Sequence, residues 1–170
     1  MNHELPITKI SGVYGLDELR DSIAQFPEKW RPLVLTNGCF DLIHPGHVRY
    51  LQKASALGRT LVVGLNSDRS VQAIKPQKPG FPPRPIVPEM ERAEVLSALK
   101  PVDGVVIFTE TTATHLIEVL QPDFYVKGGD YQLETLPEAS IATKLGVQVV
   151  FIQVEVPSST SAIVDRILGN

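Results

Sequence analysis

The chain has 170 residues, and its 43% hydrophobic and 21% charged residues exclude an intrinsically disordered protein and indicate one globular domain. Its net charge of -3 argues against a broad nucleic-acid-binding surface, while its single cysteine excludes an internal disulfide framework and favours a reducing compartment. No apolar run approaches the roughly 20 residues that span a bilayer, and the first residues lack the pattern of a signal peptide, so we expect a cytoplasmic protein without membrane contact.

The first 30 residues predict a helical lead-in to the main domain. They contain the stretch GLDELRDSIAQF, whose apolar residues recur at the spacing of an amphipathic helix. The first clear strand pattern comes directly afterwards. We therefore divide the chain into a lead-in at residues 1–30 and a domain at residues 31–170.

Short apolar runs then alternate with amphipathic stretches as far as the end of the chain. The runs are rich in Val, Ile and Leu and nearly continuous in apolarity, which is typical of strands buried in a parallel sheet. The predicted strands lie at residues 32–36, 60–66, 102–108, 123–127 and 147–153. The predicted helices lie at residues 46–57, 88–99, 111–120, 137–145 and 161–168. This alternation predicts an α/β protein with a three-layer, doubly wound parallel sheet.

One segment interrupts the alternation. Residues 75–85 (KPQKPGFPPRP) contain five prolines, three basic residues and no acidic residue. Proline lacks a backbone donor and fixes φ, so the segment can form neither a helix nor an interior strand. We predict a long loop, and a loop of this length inside a compact domain is usually functional or disordered.

The segment TNGCFDLIHPGH, residues 36–47, is the strongest local signal of a site. It runs from the carboxyl end of the first predicted strand to the start of a helix, where α/β sheets bind ligands. The helix start offers free N–H groups to an anion, and His44 and His47 can both face one phosphate. A pair of histidines also suits zinc, but the chain offers one cysteine and no obvious third ligand, so we predict no metal site in the protein.

This segment, with its H-x-G-H pattern, resembles the signature of the nucleotidyltransferase superfamily, which includes cytidylyltransferases and pantetheine-phosphate and nicotinamide-mononucleotide adenylyltransferases. The chain most resembles the adenylyltransferase half of bacterial heptose-phosphate enzymes. The supporting segments are GHVRYL, GLNSDRSV, RPIVPEMERAEVLSAL, VDGVVIF, PDFYVKGGDY and SSTSAIV, which together extend over residues 31–168. The resemblance implies a Rossmann-like nucleotidyltransferase fold.

The resemblance also implies a reaction. We expect transfer of AMP from ATP, which brings Mg²⁺ with it, to a sugar phosphate such as D-glycero-β-D-manno-heptose 1-phosphate, with release of pyrophosphate. It further implies a homodimer or a higher homo-oligomer. Heptose enzymes of this kind often carry a sugar-kinase domain, for which 170 residues leave no room, so we expect the kinase to be a separate chain.

The resemblance assigns roles to individual residues. The catalytic residues it implies are His44, His47 and Lys127. The nucleotide-binding residues are Thr36, Asn37, Gly38, Phe40, Lys75, Lys78, Arg92, Gly128, Ser159, Thr160 and Ser161. The acceptor-binding residues are Asp41 and Asp68.

Several of these residues have an ordinary structural alternative. Asp41 and Asp68 could instead cap a turn and a helix, and Arg92 could be a solvated surface residue. The lysines of residues 75–85 could belong to a solvated linker, and one hydroxyl of residues 158–161 could serve only to cap the last helix. Relatives often carry a basic residue shortly before this hydroxyl cluster, where this chain has Val-Glu-Val-Pro.

Two alternative functions remain open on the sequence. One is a cytidylyltransferase that transfers CMP from CTP to a polyol phosphate such as glycerol 3-phosphate. The other is a regulator that binds nucleotides without catalysis, against which the intact histidine pair and Lys127 argue. Nucleic-acid binding is disfavoured because the chain is acidic and only 6% aromatic.

Overall fold

The computed structural model describes residues 10–129, 132–153 and 158–169, which form a six-stranded parallel sheet between two layers of helices. The strands are β1 (Val13–Tyr14), β2 (Leu33–Gly38), β3 (Thr60–Asn66), β4 (Gly104–Phe108), β5 (Phe124–Gly128) and β6 (Gln148–Ile152). The helices are α1 (Leu16–Gln25), α2 (Pro27–Trp30), α3 (Pro45–Ser55), α4 (Asp68–Ile74), α5 (Glu89–Ser97), α6 (Thr114–Leu120), α7 (Ala139–Leu145) and α8 (Thr160–Leu168), and a 3₁₀ turn lies at Leu133–Thr135. The predicted three-layer α/β fold is confirmed.

The sheet separates two hydrophobic cores, because alternate residues of each strand point to opposite faces. Leu33 and Leu35 of β2 belong to the core under α1, α6 and α7. Val34, between them, belongs to the core under α3 and α5. β3 is buried along its whole length, which fits its nearly continuous apolar sequence TLVVGLN, polar only at Thr60 and Asn66.

The strand order β1-β4-β3-β2-β5-β6 places a topological switch point between β2 and β5. From β2 the chain winds outwards through β3 and β4 on one side, and it returns to the other side of β2 for β5 and β6. Thr36 is paired with Val126, so Asn37 and Lys127 follow side by side at the carboxyl ends of the two central strands. In open α/β sheets this crevice is where ligands bind.

The N-terminal segment contributes more than the predicted helix. Besides α1, it forms the short strand β1, in which Val13 is paired with Val105 of β4 at the edge of the sheet. Leu19, Ile23 and Trp30 enter the same core as α6. A strand of two residues has no recognisable periodicity, so its sequence did not reveal it.

The described structure has no helix or strand between α4 and α5, as the prolines of residues 75–85 predicted. Among the residues that the structure describes, no helix is both long and apolar enough to cross a membrane.

Candidate active site

A cleft of about 820 Å³ opens at the carboxyl ends of β2 and β5. Its walls come from the β2–α3 loop, the loop of residues 75–85 (the Pro-rich loop), the end of β5 and the first turn of α8. Thirteen of the sixteen predicted site residues line it: Asn37, Gly38, Phe40, Asp41, His44, His47, Lys75, Lys78, Lys127, Gly128, Ser159, Thr160 and Ser161. Thr36, Asp68 and Arg92 do not.

The two histidines stack on one another at the start of α3, with ring centroids 3.9 Å apart. His44 is the N-cap residue, and its Nδ1 accepts a hydrogen bond from the backbone N–H of Gly46 at 3.1 Å. A neutral His44 therefore carries its proton on Nε2, where it is available to a ligand.

Both histidines are held in the neutral form. Burial lowers the pKa of His44. Burial, reinforced by the charge of His44 and opposed by the backbone of Leu42, lowers the pKa of His47 to about 4. At neutral pH each ring is therefore a neutral group that donates one N–H, and the pair can bind an oxyanion without carrying its own positive charge.

Gly38 is required by the shape of the loop between the strand and the histidines. A Cβ at this position would lie 2.9 Å from Cε2 of Phe40. Phe40 adopts the left-handed conformation, with φ 43°, and its ring packs against His47 at a centroid distance of 5.2 Å. The loop thus folds Phe40 over Gly38 and uses its ring to support His47.

Asn37 joins the two central strands at the floor of the cleft. Its Oδ1 accepts hydrogen bonds from Lys127 Nζ at 3.0 Å and from the hydroxyl of Tyr125 at 2.7 Å. Burial lowers the pKa of Lys127, and the charge of Glu138 opposes this shift. A lysine here can neutralise a phosphate at the point where both halves of the sheet meet.

Thr36 lies one residue deeper and supports the cleft from below. Its side chain is fully buried and hydrogen-bonds to the hydroxyl of Tyr50 at 2.7 Å and to the carbonyl of Val126 at 3.0 Å. The structure therefore gives Thr36 a packing role between α3 and β5, while its predicted contact with nucleotide stays a prediction.

Asp41 anchors the carboxyl end of the Pro-rich loop. Its carboxylate accepts hydrogen bonds from the backbone N–H groups of Ile86 at 2.8 Å and Val87 at 3.0 Å, and it forms an ion pair with Arg84. Both oxygens are thus engaged by protein donors. These contacts are structural, but they reach a distant loop and so differ from the local turn cap that the sequence left open as the alternative. Acceptor binding by Asp41 stays a prediction.

Arg92 is buried among protein partners and is not the solvated surface residue of the alternative, while its predicted contact with nucleotide stays a prediction. It is 1% exposed, and its guanidinium donates to the carbonyls of Val87, Cys39 and Asn66 and to the carboxylate of Asp68. These partners lie in the β2–α3 loop, at the junction of β3 and α4, and just before α5. In this structure Arg92 fastens the three segments together and Asp68 neutralises it, with both residues outside the cleft lining.

The first turn of α8 faces the cleft. Ser159 is its N-cap residue, and its Oγ accepts a hydrogen bond from the N–H of Ala162 at 3.1 Å. Thr160 and Ser161 line the cleft beside it. The hydroxyl of Ser159 therefore caps the helix, which is the structural alternative given for one hydroxyl of this cluster. The hydroxyls of Thr160 and Ser161 and the N–H groups of the first turn remain suited to an anion. Val-Glu-Val-Pro, residues 154–157, lies outside the described residues.

Sequence reasoning missed part of the cleft wall. Thr111 and Thr112, before α6, and Glu138, at the N-cap of α7, also line it. The only local signal was a Pro-Glu pair at a helix start, which is common in helices that bind nothing. Among the described residues there is no group of three or more His, Cys, Asp and Glu side chains that could hold a metal ion.

Comparisons with known proteins identify the family of the chain. The model of the cytidylyltransferase-like family matches residues 35–166. The bifunctional protein HldE of Citrifermentans bemidjiense is 46% identical over 160 residues, covering 94% of this chain and 32% of that protein. The HldE protein of Helicobacter pylori is 45% identical over 155 residues, covering 91% of this chain and 31% of that protein.

A solved structure is also similar. The lipopolysaccharide core biosynthesis protein from Thermoplasma volcanium superposes with a TM-score of 0.57 at 26% identity, covering 74% of this chain and 97% of that one. The chain spans about a third of the length of the curated relatives. From the family match and these identities together, the chain belongs to the cytidylyltransferase-like family.

Proposed function

We propose that the protein transfers AMP from ATP to a sugar 1-phosphate, D-glycero-β-D-manno-heptose 1-phosphate, and releases pyrophosphate. An oxygen of the acceptor phosphate attacks the α-phosphorus of ATP, the bond between the α-phosphorus and the bridging oxygen breaks, and pyrophosphate leaves. The observation that carries this proposal is one cleft in which a stacked histidine pair, a helix N-terminus and a partly buried lysine converge.

The triphosphate is expected on the side of α3 and α8. His44 and His47 donate N–H groups to its oxygens, and the first turn of α8 adds backbone N–H groups and the hydroxyls of Thr160 and Ser161. These donors are fixed before the substrate arrives, because capping holds His44 and packing holds His47. Fixed donors stabilise the charge that develops on the α-phosphate without reorganising during the reaction.

The basic residues supply the remaining charge. Lys75 and Lys78 of the Pro-rich loop line the cleft, and we expect them to contact the triphosphate. The anchoring of the carboxyl end of this loop on Asp41 supports this expectation. We expect Lys127, which is bound to Asn37 between the two halves of the sheet, to contact the acceptor phosphate as it approaches the α-phosphorus.

Enzymes of this family generally use a divalent metal ion with the nucleotide. We propose that ATP binds here as its magnesium complex. Asp41 and Asp68 are engaged by Arg84 and Arg92, and the described residues contain no group of three or more His, Cys, Asp and Glu side chains that could hold a metal ion. We therefore expect the phosphates to supply most ligands of the ion.

The test is pyrophosphate release measured with each of four nucleoside triphosphates against a panel of sugar phosphates and glycerol 3-phosphate, with product mass as the second readout. We expect ATP and the heptose 1-phosphate to give the highest kcat/KM and an ADP-sugar product. A cytidine diphosphate product as the main species would overturn the choice of nucleotide. Nucleotide binding without pyrophosphate release from any acceptor would overturn catalysis.

A further inference from the structure

The cleft has two chemically different walls, one on each face of the sheet. Thr36 of β2 points towards α3, where it meets Tyr50, and Asn37 points to the opposite face, where it meets Tyr125 and Lys127. The histidine pair belongs to the wall on the α3 side. Thr111, Thr112 and Glu138 belong to the other wall, because they precede α6 and α7, which cover the opposite core.

Glu138 is the unusual residue of this second wall. It is 3% exposed, and its Oε1 accepts a hydrogen bond from the backbone N–H of Ala113 at 2.9 Å. Its Oε2 is buried and has no hydrogen-bond partner among the described residues. A buried carboxylate oxygen without a donor is unfavourable, so an incoming donor at this position is favoured.

The charge of Glu138 decides which part of a substrate can supply that donor. A carboxylate repels phosphate oxygens, so neither ATP phosphates nor the acceptor phosphate suit it. A hydroxyl group does, since it donates to the carboxylate in a charge-assisted hydrogen bond. The neighbouring hydroxyls of Thr111 and Thr112 can donate and accept, which matches a molecule with several hydroxyl groups.

Lys127 determines which way round an acceptor would lie along this wall. It lies at the switch point, bound to Asn37, and it lines the same cleft as Glu138. Burial lowers the pKa of Lys127 and the charge of Glu138 opposes this shift, so the two charged groups are close enough to interact. An acceptor whose phosphate contacts Lys127 would place its non-phosphate part towards Glu138. Asp41 and Asp68 are occupied by arginines and do not compete for this part.

We propose that Thr111, Thr112 and Glu138 form the subsite for the sugar ring of the acceptor, and that Glu138 Oε2 accepts a hydrogen bond from a sugar hydroxyl. The proposal rests on the proposed function for the identity of the acceptor as a phosphorylated sugar. It makes Glu138 a specificity residue that favours a polyhydroxylated acceptor over an alkyl phosphate.

Glu138→Gln is the sharpest test, because the amide keeps one oxygen for the N–H of Ala113 and removes only the charge and the second acceptor. We expect KM for the heptose 1-phosphate to rise by about 10-fold or more, the loss typical of one hydrogen bond to a charged group, with KM for ATP unchanged. Glu134→Gln, an exposed acidic residue in the neighbouring 3₁₀ turn, is the matched control and should leave both values unchanged.

A binding measurement separates this proposal from the proposed function. Calorimetric titration of the purified proteins with mannose 1-phosphate, with glycerol 3-phosphate and with inorganic phosphate needs no turnover. We expect Glu138→Gln to weaken mannose 1-phosphate by about 10-fold or more and to leave inorganic phosphate unchanged. If the wild-type protein binds mannose 1-phosphate in this way but shows no pyrophosphate release, the proposed function fails and the subsite stands.

Three outcomes would overturn the subsite. One is equal affinity of wild-type protein and Glu138→Gln for mannose 1-phosphate, and another is no binding of any sugar phosphate by the wild-type protein. The third is a shift in the alkaline limb of the kcat profile with an unchanged acceptor KM, which would show that Glu138 acts only on the charge of Lys127.

Discussion

Replacing His47 by alanine tests the oxyanion role of the histidine pair. The His47 ring lies between His44, at a centroid distance of 3.9 Å, and Phe40, at 5.2 Å, so its N–H is fixed by packing on two sides. The loss of one preorganised donor to a developing oxyanion lowers kcat by about 10²–10³-fold, equivalent to about 2.7–4 kcal/mol. KM for ATP should change far less, because the hydrogen bond strengthens as charge develops.

The assay is steady-state pyrophosphate release with ATP and acceptor varied separately. His115→Ala is the matched control, since His115 lies on α6 with 54% of its side chain exposed and outside the cleft lining. Circular dichroism and thermal melting of both variants show whether the fold is kept. A folded His47→Ala with wild-type kcat, or one in which only KM for ATP rises, would refute the reasoning.

The pH profile tests the same residue without a mutation. Because the pKa of His47 is lowered to about 4, the free enzyme should show no His47-dependent change in kcat/KM between pH 5.5 and 8. The same shift makes the free energy of unfolding depend on pH. The neutral ring contributes stability above the unfolded pKa of 6.5, and this contribution is lost as the pH falls through 4. An acid limb near pH 6.5 that His47→Ala removes would contradict the burial argument.

Other changes test the loops around the cleft. Asp41→Asn should lower the free energy of unfolding by about 1.5–3 kcal/mol in urea denaturation, because it removes the charge facing Arg84, and a change below about 0.5 kcal/mol would contradict the anchor. Gly38→Ala should lower kcat by about 10-fold or more, because its Cβ would displace the Phe40 ring that supports the histidine pair, and an unchanged kcat would contradict this. ATP should slow the cleavage of residues 75–85 by proteinase K, and equal rates with and without ATP would count against closure over the nucleotide. Proteinase K is used in place of a protease that cleaves after Lys or Arg, because every basic residue of this loop precedes a proline.

The sequence by itself determined most of the elements, though not β1, α2 or α4, and it predicted the place of the site. Continuous apolar runs such as TLVVGLN and the prolines of residues 75–85 act locally, so strand, helix and loop follow from a few neighbouring residues. The motif at residues 36–47 follows a strand and begins a helix, and parallel strands align their carboxyl ends at one edge of the sheet. The sequence therefore predicts the histidine pair and Lys127 at one edge of the sheet, and in the structure all three line the same cleft.

Only the tertiary structure decided which polar side chains line the cleft and which are engaged by partners in the scaffold. Arg92 meets Cys39 and Asn66, which are 53 and 26 residues away, and no local pattern encodes such contacts. Asp41 likewise lies 43 residues from Arg84, and Glu138 Oε2 has no hydrogen-bond donor among the residues that the structure describes. A charged residue takes its role from partners brought close by folding, because desolvation makes an unpaired buried charge costly.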